Sequence, residues 1–128
     1  MTDKVNILVI DDEPIVGKRL KPALEKSGYN VDVCETGSEA LERIHNKSYD
    51  IVVTDVRMDE VDGMEVLSRV TEKSPKTKVI IITGYATIEI AREAIAKGAF
   101  DFIAKPFKPN ELREIIQKAI DALEEESN

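Results

Sequence analysis

Ile51-Val52-Val53-Thr54-Asp55-Val56-Arg57-Met58 is a short, mostly β-branched run that carries one carboxylate towards its end. Such a run reads as a strand buried on both faces, as strands are in parallel sheets. Its C-terminal end delivers Asp55, and in open α/β sheets ligands bind beyond those ends. The rest of the chain determines what Asp55 meets there.

Working outward, five apolar strand-like runs alternate with five helical patterns. Before the central run lie Val5 to Ile10, then Asp11-Asp12-Glu13-Pro14, where Pro14 suits the first turn of a helix. That helix places Ile15, Val16, Leu20, Ala23 and Leu24 on one face and ends near Gly28. Pro22 falls inside it, where a proline removes a backbone hydrogen bond and crowds the preceding turn; a bend or local loosening is expected. A second strand, Val31 to Cys34, precedes Thr36-Gly37-Ser38-Glu39, which has capping-box spacing ahead of Ala40, Leu41 and Ile44. After the central run, Asp62 and Glu65 mark a helix start before Val66, Leu67 and Val70. Lys78 to Ile82 forms a fourth strand, followed by Thr83-Gly84 and a helix through Ile88, Ala91, Ala94 and Ile95 that stops at Gly98. Ala99 to Ile103 reads as the fifth strand, leading into Ala104-Lys105-Pro106. The last helix has a clean apolar stripe of Leu112, Ile115, Ile116, Ala119, Ile120 and Leu123.

Strict βα alternation implies a doubly wound α/β sandwich, (βα)5, with helices on both faces of a parallel sheet. Five strands suggest the flavodoxin-like order 2-1-3-4-5, whose switch point lies between strands one and three. Those strands end at Asp11/Asp12 and Asp55, and strands four and five bring Thr83 and Lys105 to the same edge. At 128 residues the whole chain, 1–128, is expected to be a single domain. No apolar run approaches the ~20 residues that span a bilayer, and the first residues carry no signal-peptide pattern, so a cytoplasmic home is expected. A net charge of −7 argues against direct binding to nucleic acid or an anionic membrane. The lone Cys34 excludes an intramolecular disulfide and reads, like His45, as structural.

Three carboxylates cannot sit together fully ionised without a compensating charge. A hard divalent cation is the natural partner, Mg²⁺ or Mn²⁺, and Mg²⁺ typically takes few protein carboxylates while keeping waters and phosphate oxygens. Lys105 offers a positive charge and Thr83 a hydroxyl donor. An aspartate can act as a nucleophile and form an acyl phosphate, with cation and lysine stabilising the transferring group. Phosphoryl transfer onto Asp55 is the chemistry this set predicts. Each residue alone has a plainer reading: Asp11 and Asp12 as helix-terminal acids, Asp55 as a turn residue, Thr83 as a cap and Lys105 as a solvated charge. Their convergence is what argues otherwise.

On Asp11-Asp12, Asp55, Thr83 and Lys105-Pro106, the sequence resembles the receiver domain of a two-component response regulator. The segments Thr83-Gly84-Tyr85-Ala86-Thr87 and Gly98-Ala99-Phe100-Asp101-Phe102 look most like receivers of the nitrogen-regulation type, which commonly precede an ATPase module and a DNA-binding domain. The resemblance implies a phosphoacceptor, Asp55, served by a sensor histidine kinase, and a signalling module rather than an enzyme, though one that assists its own phosphorylation and dephosphorylation. It implies Mg²⁺ held by Asp12, Asp55 and the backbone carbonyl of Arg57, with Asp11 reaching it through water. Thr83 and Lys105 would contact phosphoryl oxygens, Phe102 would be the switch aromatic, and the bond before Pro106 would be cis. It further implies that the fourth helix, last strand and last helix form the output surface, with a homodimer as one use of it. A longer regulator containing this receiver fits the resemblance equally well. Two departures stand out: Asp59 follows Met58 where the family often has proline, and Phe102 replaces the common tyrosine. Arg57 and Tyr85, two places after the acceptor and the threonine, flank the pocket mouth in the family and are expected to prolong the phosphorylated state. A haloacid-dehalogenase-like phosphatase wants a second acid where Arg57 stands, and a flavodoxin wants a hydroxyl-rich loop where Asp11-Asp12-Glu13 stands. A receiver that is never phosphorylated would lack site residues that are all present here.

Overall fold

The computed structural model describes residues 4–56, 58, 61–85 and 87–127. Its elements run β1 (Asn6–Ile10), α1 (Pro14–Lys26), β2 (Asn30–Cys34), α2 (Gly37–Asn46), β3 (Ile51–Asp55), α3 (Gly63–Lys73), β4 (Lys78–Thr83), α4 (Ile88–Ala96), β5 (Asp101–Ala104) and α5 (Pro109–Ser127). All strand pairs are parallel and the order is β2-β1-β3-β4-β5, the order expected from the alternation.

The period-two alternation along each strand divides the core between the two faces of the sheet. Ile7, Val9, Ile51, Val53, Ile80 and Ile82 pack with Leu20 and Leu24 of α1 and Leu112, Ile116 and Ala119 of α5. Leu8, Ile10, Val52, Val79 and Ile81 pack instead with Ala40 and Ile44 of α2, Leu67 and Val70 of α3, and Ala94 of α4. The central strand is buried at all five positions, Asp55 included.

Local chemistry places the helix ends. Thr36, Asp62 and Thr87 each accept the backbone N–H three residues on, from Glu39, Glu65 and Ile90, as side-chain N-caps do. α1 and α4 are each followed, two residues past their last, by a glycine with positive φ, Gly28 at +94° and Gly98 at +103°, a conformation that costs glycine little. The next residue in each case donates back to the helix, Tyr29 N–H to the Leu24 carbonyl and Ala99 N–H to the Ala94 carbonyl.

That cap corrects the expected fifth strand. Ala99 spends its N–H on α4, so β5 starts at Asp101 rather than Ala99 and runs one residue further, to Ala104. β1 begins at Asn6 rather than Val5, β2 at Asn30 rather than Val31, and β4 extends to Thr83. α1 continues through Pro22 without interruption. Pro22 and Lys18 both lie on the exposed side, where water reaches the carbonyl that the proline leaves without a helical donor. α4 differs most from its apolar pattern: only Ala94 is buried, whereas Ile88 and Ile95 are 67% and 54% exposed. Ile15 of α1 is likewise exposed.

Candidate functional site

The switch point between β1 and β3 gathers the polar side chains that the core would otherwise exclude. Among the described residues, the buried polar or charged ones are Asp11, Thr54, Asp55 and Thr83. Three of these four were expected at the site, and burying them has a cost unless they find partners.

Lys105 supplies the counter-charge. Its ammonium lies 2.7 Å from Asp11 Oδ2, 2.8 Å from Glu13 Oε1 and 3.0 Å from Asp55 Oδ2. The Lys105–Pro106 bond is cis, as the resemblance implies. The Lys105 backbone N–H donates to the Thr83 carbonyl at 2.9 Å, which ties the ends of β4 and β5 together beneath the pocket. Burial alone would push the Lys105 pKa down, but its pairing with the three carboxylates outweighs that and holds it above its ordinary value. Burial pushes the Asp11 carboxyl up, although the Lys105 ammonium and the Glu13 N–H oppose the shift. Glu13 is held below the usual carboxylate range by Lys105.

Asp11 is held from one side by the Glu13 backbone, whose N–H donates to Oδ1 at 2.9 Å. Its other oxygen, Oδ2, is buried and ion-paired with the Lys105 ammonium, but among the described residues it has no hydrogen-bond partner, the ammonium lying off the direction a hydrogen bond requires. One ligand atom from each of Asp11, Asp12 and Asp55 lies within 4.8 Å of the others. Oxygen donors, surplus negative charge and a buried carboxylate oxygen without a hydrogen bond together fit a hard divalent cation.

Thr83 is fully buried, and its Oγ1 accepts the Tyr85 N–H at 3.0 Å. That bond holds the first residues of the β4–α4 loop to the end of β4. Tyr85 is 57% exposed. Phe102 is half-buried against the α2–α4 side of the core, as is Ile90 of α4. The expectations for Arg57 and Asp59 lie outside the described residues.

Two residues matter here that the sequence did not single out. Glu13, the third acid of its run, reaches Lys105. Gly63 opens α3 directly against the acceptor strand: its N–H donates to the Val56 carbonyl at 2.9 Å, and a Cβ there would lie 2.0 Å from the Asp55 carbonyl oxygen. The Asp62-Gly63 pair after the strand was the available signal, a cap followed by a residue with no side chain. Beside Lys105 the site opens into a groove of about 430 Å³ whose lining includes Glu13, Ile15, Val16, Arg19 and Phe107.

A flavodoxin-like domain with acids, a hydroxyl and a lysine converging at its switch point is built to handle a phosphoryl group beside a cation. The response regulator receiver domain matches residues 7–117, and the chain belongs to this family, signalling modules whose function is to accept a phosphoryl group on an aspartate. The regulatory protein AtoC of Escherichia coli (strain K12) is 38% identical over 120 residues, covering 94% of this chain and 26% of that protein. The transcriptional regulatory protein ZraR of the same strain is 36% identical over 118 residues, 92% of this chain and 27% of that one. The chain thus spans about a quarter of the length of these curated relatives. A receiver domain protein from Methanospirillum hungatei JF-1 superposes with a TM-score of 0.93 at 31% identity, covering 97% of this chain and 99% of that one. No helix among the described residues is long and apolar enough to cross a membrane.

Proposed function

We propose that this chain relays a signal by accepting a phosphoryl group on Asp55 from a sensor histidine kinase, in the cytoplasm and as the receiver of a longer regulator. The observation that carries this is the burial of Asp11, Asp55 and Thr83 around one lysine at the switch point. Asp11, Asp12 and Asp55, with the backbone carbonyl of Arg57, would hold Mg²⁺ or Mn²⁺. Such a cation, when bound, offsets the carboxylate charge and draws charge from the phosphoryl oxygens. An Asp55 oxygen attacks the phosphorus in line with the leaving group, so the chain itself takes part in its own phosphorylation. Lys105 pairs with one phosphoryl oxygen, and the Thr83 hydroxyl donates to another. Drawing Thr83 inward strains its bond to the Tyr85 N–H, and this carries the change into the β4–α4 loop and gives Phe102 room to turn.

The output surface is α4, β5 and α5. Ile88 and Ile95 are seven residues apart on one helix face and both exposed, which suits an apolar contact with a second copy of the chain. Arg57 and Tyr85 shield the acyl phosphate from in-line water and lengthen its life; Tyr85→Glu and Arg57→Asn are expected to shorten it. The reading is tested by incubation with acetyl phosphate and Mg²⁺ followed by intact mass. One phosphoryl group is expected on the wild type and none on Asp55→Asn, with a rise in melting temperature on Mg²⁺ addition because the ion binds only the folded state. Stoichiometric labelling of Asp55→Asn would overturn the assignment.

A further inference from the structure

We propose that Glu13 is a positioning residue: it holds the Lys105 ammonium in its resting place and must yield it when a phosphoryl group enters. This rests on the phosphoacceptor reading above. Of the three carboxylates around the ammonium, Asp11 and Asp55 are buried on the pocket floor, with side chains 1% and 7% exposed. Glu13 differs, with a side chain 59% exposed at the rim, where the site meets the groove lined by Ile15 and Phe107.

The placement of Glu13 is not what its backbone position would suggest. It occupies the N-cap of α1 (φ −89°, ψ 109°), yet its side chain makes no capping hydrogen bond. Residues favoured there normally turn their side-chain oxygen back onto the helix. Here the carboxylate instead reaches a residue 92 positions away in sequence. The same residue donates its N–H to Asp11, so it is tied to the pocket by its backbone and to the lysine by its side chain.

One ammonium cannot satisfy three carboxylates and an incoming phosphoryl group. A phosphoryl on Asp55 competes for Lys105 from the pocket floor, and the ammonium has to move inward, away from the rim. Glu13 then stands as an uncompensated charge near the entering anion. Both consequences oppose phosphorylation, so Glu13 acts as a brake on loading. Its exposure keeps the effect modest and sensitive to salt.

Glu13→Gln removes the charge and keeps the size. With acetyl phosphate and Mg²⁺, a bond forms between an Asp55 oxygen and phosphorus as the bond from phosphorus to acetate breaks. Acetate leaves with the electron pair, and no proton needs to move. The variant is expected to load about two- to fivefold faster at low ionic strength, with the difference largely lost at 1 M KCl, where the screening length is ~3 Å. A metal-free measurement accompanies it: trace acetylation of the folded proteins with acetic anhydride, quantified by peptide mass. Lys105 should become more reactive relative to the other lysines in Glu13→Gln, at an unchanged melting temperature. Equal loading rates with equal Lys105 reactivity, or slower loading of the variant at low salt, would overturn the proposal. Loading of the wild type alongside an unchanged variant leaves the acceptor reading standing; loading of neither protein overturns both.

Discussion

Gly63→Ala probes how closely the acceptor aspartate depends on the helix that follows it. The added Cβ would sit 2.0 Å from the Asp55 carbonyl oxygen and 2.9 Å from the Val56 Cα, both backbone atoms that cannot rotate away. Ordinary contact begins at 3.4 Å, so α3 or the Asp55 peptide must shift by more than 1 Å. Overpacking of this kind costs about 1–3 kcal/mol. Loss of the Gly63 N–H bond to the Val56 carbonyl adds about 1 kcal/mol, and the better helix propensity of alanine returns at most ~1 kcal/mol. A net loss of about 2 kcal/mol corresponds to a melting temperature lower by roughly 8 °C in a domain of this size. Loading should suffer beyond stability, because a 1 Å misplacement of a reacting group can cost on the order of 100-fold. Gly84→Ala is the control: its Cβ would meet nothing within 4 Å among the described residues, and no change beyond about 0.5 kcal/mol is expected. Thermal melts and acetyl phosphate loading at a temperature where both variants are folded provide the assay. Wild-type melting and loading in Gly63→Ala would refute the reasoning.

Pro22→Ala should stabilise the domain by at least about 1 kcal/mol, since it restores a backbone donor in the middle of α1 at an exposed position; urea denaturation measures it, and equal or lower stability would contradict the account. Cys34 is buried and its thiol is pushed up to about 12 by burial, so iodoacetamide should modify it slowly in the native protein and rapidly in urea; fast native modification would be contrary. Burial and the hydrogen bond to Asp32 push Tyr49 up to about 12 from 10.0. Lys105 is also raised, from 10.5. For groups raised on folding, the stabilisation is complete below the unfolded value and lost as pH rises through the folded one. Melting temperature should therefore fall steadily between pH 10 and 12, less steeply in Tyr49→Phe; a flat profile would sink this.

The strand order and the meeting of Asp11, Asp12, Asp55, Thr83 and Lys105 were legible because both follow from alternation. Once five apolar runs alternate with five helices, parallel winding brings every strand's C-terminal end to one edge. What was not legible depends on three-dimensional competition for the same group. Ala99 is as apolar as a strand residue, but its N–H is claimed by the cap of α4. Ile88 and Ile95 carry helical spacing, but α4 turns Ala94 rather than these side chains to the sheet. Glu13 drew no reading of its own, because nothing in its neighbourhood along the chain points to Lys105.

The paired glycine turns after α1 and α4 have a consequence for which lengths of chain this fold can tolerate. β2 and β5 are the two outer strands of the sheet, each bonded on one side only, so neither has a second neighbour to hold its alignment. Each is delivered instead by a turn whose geometry is closed by a glycine and a bond back into the preceding helix. Inserting or deleting one residue between Gly98 and Asp101 would slide β5 by one position, and a one-residue slip reverses which way every side chain on a strand faces. Phe102 would leave the core and Lys105 would arrive at the wrong place. Among natural variants of this chain, length changes should therefore be rarer in that three-residue step than substitutions at many of the surface positions around it, and the spacing from Gly98 to Lys105 should vary less than the identities of the residues between them.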